Sequence, residues 1–316
     1  MPSKRNEDEE DRSACQWMTQ SRALSEFAAF TGKTQSAAHI KPLHWYVACR
    51  LVVEGGFHPD DITPRPPFTV MRSRGQSRLS YAPDQAGRGE RTILGGLKTK
   101  NVDVVVTRQG IGPVLAVSCK GVTGAFRNLT NRMEETVGEC TNLHITYPAL
   151  VLGYFVILRA NRTIEATLAE IGAEAGEPGR ELATNDIALT AGGDPVMGIV
   201  RFHNALRELT GRRGIRNDLS RYEAVAMALV DMRRPTAGVV MPTYPADDSA
   251  LRLERFFDTL YLRYDERFVY SAPLLNDVTR RSEWAPDSPA FLGPNGLPGL
   301  DYDPRVSADG SEDASE

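Results

Sequence analysis

A chain of 316 residues with 41% apolar side chains holds enough material for a large core, which excludes a wholly disordered polymer. The formal charge is −4, but residues 1–12 hold three basic and five acidic side chains and residues 301–316 one and six, so the body between them carries about +3. Four cysteines (Cys15, Cys49, Cys119, Cys140) with no CxxC pair exclude a disulfide framework and a structural zinc site.

No apolar run approaches the roughly 18 residues of a membrane span, and "MPSKRNEDEEDRSA" lacks the apolar stretch of a secretion signal. A cytoplasmic protein with no membrane contact is expected. Residues 1–20 are predicted to be an acidic tail. Ile40, Leu43, Val47 and Leu51 then recur at helical spacing, Pro42 suits a first turn and Gly55-Gly56 a stop, which predicts a helix over 37–53. "PFTVMRS" (67–73) reads as a strand, followed by a basic, glycine-rich loop. Across it Arg72, Arg74, Arg78, Arg88, Arg91, Lys98 and Lys100 face only Asp84 and Glu90, a candidate phosphate-contacting surface.

"VDVVV" (102–106) and "VLAVSCK" (114–120) are apolar, β-branched runs joined by "RQGIGP", the pattern of a hairpin. An antiparallel pair of this register puts Asp103 and Lys120 at the same end, and alternation puts Ser118 and Lys120 on one face with Cys119 on the other. A helix is predicted after Gly124, with Phe126, Leu129, Met133, Val137, Cys140 and Leu143 as its buried stripe and Arg127, Asn131 and Glu134 beside it. "ALVLGYFVIL" (149–158) suits a strand buried on both faces.

Further along, 196–209 and 220–233 read as helices, the second opened by the capping box Ser220-x-x-Glu223. "AGVVMPTY" reads as a fifth strand, and a long amphipathic helix is predicted from an N-cap at Asp247 or Asp248. Residues 276–316, rich in proline and glycine and then acidic, are predicted to be a second tail. The order implies one α/β domain over 21–275 with a mixed sheet flanked by helices.

Asp103, a 14-residue gap and then Ser118-Cys119-Lys120 at a strand end resembles the PD-(D/E)xK nuclease superfamily, whose best-known members are type II restriction endonucleases. The order read over 37–158 is similar to that superfamily's αβββαβ core, with 159–275 as a helical and strand extension. In the subgroup that cuts targets containing CCGG the motif reads SxK, and the missing acid stands on the next helix, 14 residues after the lysine; here that position is Glu134, with Glu135 as its neighbour.

The resemblance implies Asp103 and Glu134 as ligands of Mg²⁺, for which Mn²⁺ can substitute, Ser118 in the vacated acidic position and Lys120 orienting water. Glu54, ending the first helix, matches an additional acid that some members carry. It further implies a restriction or defence endonuclease acting on double-stranded DNA, leaving 5′-phosphate ends, and a homodimer on a palindromic target. Arg127, Asn131, Arg72, Arg74, Arg78, Lys98 and Lys100 are the candidate nucleic-acid contacts. Val102 stands where the family usually has proline, and "GVTGAF" after the lysine lacks the subgroup's base-reading residues, so CCGG does not carry over. Ser118 keeps a second reading open: the same fold with a decayed site, binding nucleic acid or protein without cutting.

Overall fold

The computed structural model describes residues 13–31, 37–73, 75–162, 183–233, 235–292 and 296–308. At its centre is a mixed five-stranded sheet in the order β1-β6-β7-β8-β9, built from Ile62–Thr63 (β1), Val104–Arg108 (β6), Gly112–Val122 (β7), Val151–Arg159 (β8) and Ala224–Val230 (β9). β1, β6 and β7 pair antiparallel, and β7, β8 and β9 run parallel. Two ribbons stand outside it: Phe68–Ser73 (β2) with Gln76–Tyr81 (β3), and Arg91–Leu94 (β4) with Thr99–Val102 (β5). The strand predicted over 67–73 therefore exists but lies outside the main sheet, and the "loop" after it is two hairpins.

Helices cover both faces. Gln20–Ala29 (α1), Lys41–Val53 (α2) and Phe256–Tyr264 (α5) pack on one side, Leu129–Thr146 (α3) and Met197–Glu208 (α4) on the other. α2 starts with Pro42 in its first turn and is buried almost all round, as expected of a central helix. Among the described residues no helix is long and apolar enough to cross a membrane.

Three predicted elements change identity. Residues 220–233 form no helix: Ala224–Val230 is a strand buried on both faces. Its small residues Ala224, Ala226 and Ala228 face α2 and α5, while Val225, Met227 and Leu229 face α4. Glu223 is no helix cap; its carboxylate accepts from the Leu152 amide at 2.7 Å and from buried Arg212 at 2.8 Å. The fifth strand expected over 237–244 reduces to one bridge, Val230 to Val240. The long helix begins only at Phe256, after a 3-10 turn; ahead of it the chain is irregular, and the carbonyls of Asp247 and Asp248 accept from the Arg255 side chain.

The expected tails also pack where they are described. Trp284 is fully buried and its indole N–H donates to Val52 and Val53 at the end of α2. Trp17 donates to Pro298, and the Asp301 carboxylate caps the first turn of α1 at Gln20 and Ser21. The proline-rich segment lacks long regular elements, as composition predicts, but its aromatic and apolar residues still belong to the core.

Candidate functional site

β5 runs into β6 through a single break at residue 103, and the β6–β7 register (Val104 opposite Val117) brings Asp103 against the last turn of the neighbouring strand. One carboxylate oxygen, Oδ2, accepts from the Cys119 amide at 2.7 Å, from the Ser118 hydroxyl at 3.5 Å and from Lys120 Nζ at 3.3 Å. The other, Oδ1, lies 3.7 Å from His44 Nε2 in the first turns of α2. Alternation holds as the sequence predicts: Cys119 packs toward α1 and α2, whereas Lys120 points to the α3 side.

These groups stand in a polar cleft of about 410 Å³ whose walls include His39, Glu90, Arg132 and Asp186. Electrostatics follow from burial. Burial alone would raise the Asp103 pKa, but His44, Lys120 and the Cys119 amide outweigh it and hold the carboxyl below its ordinary value. Lys120 loses hydration by burial, yet Asp103 and then Glu139 over-compensate, so its ammonium is held above the ordinary lysine range. At neutral pH it is a fixed cation and a hydrogen-bond donor.

His44 behaves in the opposite way: burial lowers its pKa from 6.5, and the pull of Asp103 restores only part of it. The neutral imidazole therefore offers a lone pair. Among the described residues its buried Nε2 has no hydrogen-bond partner. Burial pushes the Cys119 thiol far up, so although its sulfur lies within 4.8 Å of the His44 and Asp103 donor atoms, it is protonated and a poor ligand. The donor pair that fits a divalent cation is Asp103 Oδ1 with His44 Nε2.

The expected second acid is elsewhere. Glu134 and Glu135 are both exposed on α3 and do not line the cleft; the carboxylate α3 turns inward is Glu139, one further turn along, buried and bonded to Lys100 at 3.0 Å. Its Oε1 is unpartnered among the described residues, and its charge acts on Lys120. Ser118 is fully buried, a brace for Asp103 rather than a wall of the cleft. Glu54 sits about 15 Å along α2 from His44, at 1.5 Å per residue, clamped by Arg50 at 2.7 Å and Tyr261 at 3.0 Å.

The expected basic surface divides. Arg72 is exposed on the β2–β3 ribbon, whose turn shares a cleft with Asp265 and Arg280, and the Arg280 carbonyl meets Arg108 at the far end of β6 from Asp103. Arg78 is taken up by Asp287 at 2.9 Å. Lys98 and Lys100 belong to the other ribbon, beside α3. Asn131 is exposed; Arg74 and the Arg127 side chain lie outside the described residues.

His44 escapes sequence reading because helical periodicity treats it as one more position of a buried stripe. The available signal was a histidine in the first turns of a largely apolar helix. A stability measurement checks its state. Folded His44 stays neutral while the unfolded chain takes up a proton below about pH 6.5, so stability falls from there toward the lower folded pKa. His44→Gln is expected to show a shallower fall of the unfolding free energy over that window, by up to about 1.4 kcal/mol per pH unit. An unchanged slope would mean that His44 titrates normally. No family model, curated protein or solved structure matches the chain.

Proposed function

We propose that the protein is a metal-dependent endonuclease of the PD-(D/E)xK kind that hydrolyses phosphodiester bonds of double-stranded DNA, with a restriction-endonuclease-like core formed by α2, β1, β6, β7, α3 and β8. The observation that carries this reading is the Asp103–Lys120 contact of 3.3 Å in a polar cleft, with an unpartnered histidine nitrogen 3.7 Å from the free carboxylate oxygen. Taken without the β2–β3 and β4–β5 ribbons that stand between β1 and β6, and with β1 in place of the strand over 67–73, those elements follow the αβββαβ order that the resemblance implies.

Asp103 and His44 would hold the divalent ion, which when bound supplies positive charge to the scissile phosphate and lowers the pKa of water. Lys120, locked as a cation, donates a hydrogen bond that aims the attacking water and offsets the negative charge growing on the phosphoryl oxygens. It takes no proton, since its pKa is too high. Asp103 and then Glu139 keep that ammonium charged, and Arg132 adds a second cation at the cleft wall. In-line attack expels the 3′ oxygen and leaves a 5′ phosphate, and a second copy of the chain would present the same cleft to the opposite strand.

Both Mg²⁺ and Mn²⁺ favour oxygen ligands, but Mg²⁺ demands near-ideal oxygen surroundings whereas Mn²⁺, a transition metal, tolerates one imidazole nitrogen better. Plasmid relaxation is therefore expected with either ion, at lower concentration with Mn²⁺, and to stop with chelator. His44→Gln, which replaces nitrogen by an amide oxygen, is expected to narrow the Mn²⁺ advantage by about tenfold or more, the weight of about 1.4 kcal/mol. Failure of purified protein to cut with either ion overturns the reading.

One observation favours a non-cutting binding module: Glu134 is exposed and Ser118 is buried and uncharged, so of the acids the motif calls for only Asp103 stands at the site. Calorimetric titration with Mn²⁺ separates the two. Heat that disappears in Asp103→Asn supports the nuclease; no heat from wild type supports the module.

A further inference from the structure

The β4–β5 ribbon stands directly on the cleft. Glu90, the residue before β4, and Asp103, the residue after β5, both line it, so both feet of the ribbon are fixed at the candidate site. Its inner face carries Ile93 and Val102, buried against the α3 side of the core, and Lys100, bonded to Glu139. The outer face carries Thr92, Leu94, Thr99 and Asn101, all exposed.

The turn is held rigidly. Asn142 of α3, itself buried, accepts from the Leu97 and Lys98 amides at 2.7 and 3.1 Å and donates to the Lys98 carbonyl at 2.9 Å. Gly95 is required there, because a Cβ would stand 2.0 Å from the Asn142 amide nitrogen. The result is a stiff finger with Leu97 79% exposed at its tip and Lys98 exposed beside it. Structural economy alone does not call for such a device: an apolar side chain and a lysine are presented to solvent on a turn pinned by a buried asparagine.

We propose that this ribbon, residues 91–102, enters the major groove of duplex DNA and reads the bases beside the cut. For its position relative to the scissile phosphate, the inference rests on the nuclease reading above. Three observations carry it. A two-stranded ribbon matches a groove about 12 Å wide. At about 3.4 Å per residue the tip lies some 16 to 20 Å along the strand from Asp103, a span of roughly five base pairs at 3.4 Å each.

The third observation is chemical. The Thr92 hydroxyl donates to Asn101 Oδ1 at 2.7 Å, which orients the amide and leaves its NH₂ as the outward donor. That group complements acceptor edges: purine N7, guanine O6 or thymine O4. Asn101 is thus a specificity residue, two positions from Asp103, while Arg91 and Lys98 supply sequence-independent attraction to phosphate.

The test uses binding, so that it does not depend on cutting. Full-length protein is titrated into a short labelled duplex of random sequence, with Ca²⁺ in place of Mg²⁺ or Mn²⁺, and bound duplexes are recovered and sequenced. The Arg91→Glu/Lys98→Glu protein is expected to bind at least about tenfold more weakly. Asn101→Ala is expected to bind within a few-fold of wild type but to lose base preference at one or two positions. All three altered residues are exposed, and an unchanged melting temperature shows that the fold persists.

Equal binding by the charge-reversed protein, no binding by wild type, or an unaltered preference in Asn101→Ala overturns the ribbon proposal. So does stronger competition by duplex RNA, whose deep, narrow major groove excludes a ribbon. Ribbon-dependent binding by a wild type that cuts with neither Mg²⁺ nor Mn²⁺ leaves the proposal standing and removes the nuclease.

Discussion

Asp103→Asn and Lys120→Met are each expected to lower plasmid cutting by about 10³-fold or more, equivalent to roughly 4 kcal/mol of transition-state stabilisation. The asparagine variant isolates charge from shape: its amide oxygen still accepts from the Cys119 N–H that Asp103 Oδ2 accepts at 2.7 Å, so the end of β7 keeps its anchor. What disappears is the negative donor beside His44. The methionine variant keeps the bulk of the lysine stem and removes only the cation. Melting temperatures close to wild type, with cutting lost, would locate the defect in chemistry. Cutting at the wild-type rate by either variant would discard the assignment.

Those two residues were readable because strand geometry is periodic and local. Once "VDVVV" and "VLAVSCK" form a hairpin, the meeting of Asp103 and Lys120 follows from register, and the structure closes the gap to 3.3 Å. His44 and Glu139 were not readable in the same way, since which face of α2 or α3 meets the sheet end depends on packing angles that no spacing rule fixes. The 14-residue step to Glu134 lands on the solvent side of α3; the 19-residue step to Glu139 lands on the inner side.

β9 shows a different failure. "AVAMALV" is made of good helix formers, so propensity pointed to a helix, yet its small-large alternation of period two was present throughout. Neighbours decide such a case: Phe256 and Phe257 of α5 fill the space above the alanines, and β8 supplies the hydrogen bonds. The terminal segments were misjudged because proline and glycine exclude long helices and strands but not burial, and Trp284 and Tyr302 still seek the core.

Glu223→Gln is expected to destabilise the fold by about 3 to 5 kcal/mol, the usual cost of leaving buried charges without their partner. Glu223 is fully buried and faces Arg212 at 2.8 Å, Arg267 at 2.6 Å and His144 at 3.6 Å, with the Leu152 amide on its second oxygen. Burial opposes its charge, but His144 and Arg267 overcome that, and its pKa falls below the ordinary 4.5. Its contribution is therefore complete above about pH 4.5 and is lost as pH falls through the lower folded value, so the glutamine variant should also show a flatter acid limb. Arg212, buried and bonded to this carboxylate, is thereby a structural cation. The cluster sits where parallel β8 and β9 begin, whereas Lys120 sits near the end of β7, so the two lie at opposite ends of the sheet. Hence Glu223→Gln should cut DNA at the wild-type rate below its transition while melting on the order of 10 °C lower. A shift worth less than about 1 kcal/mol would mean that water, not Glu223, balances the two guanidinium groups.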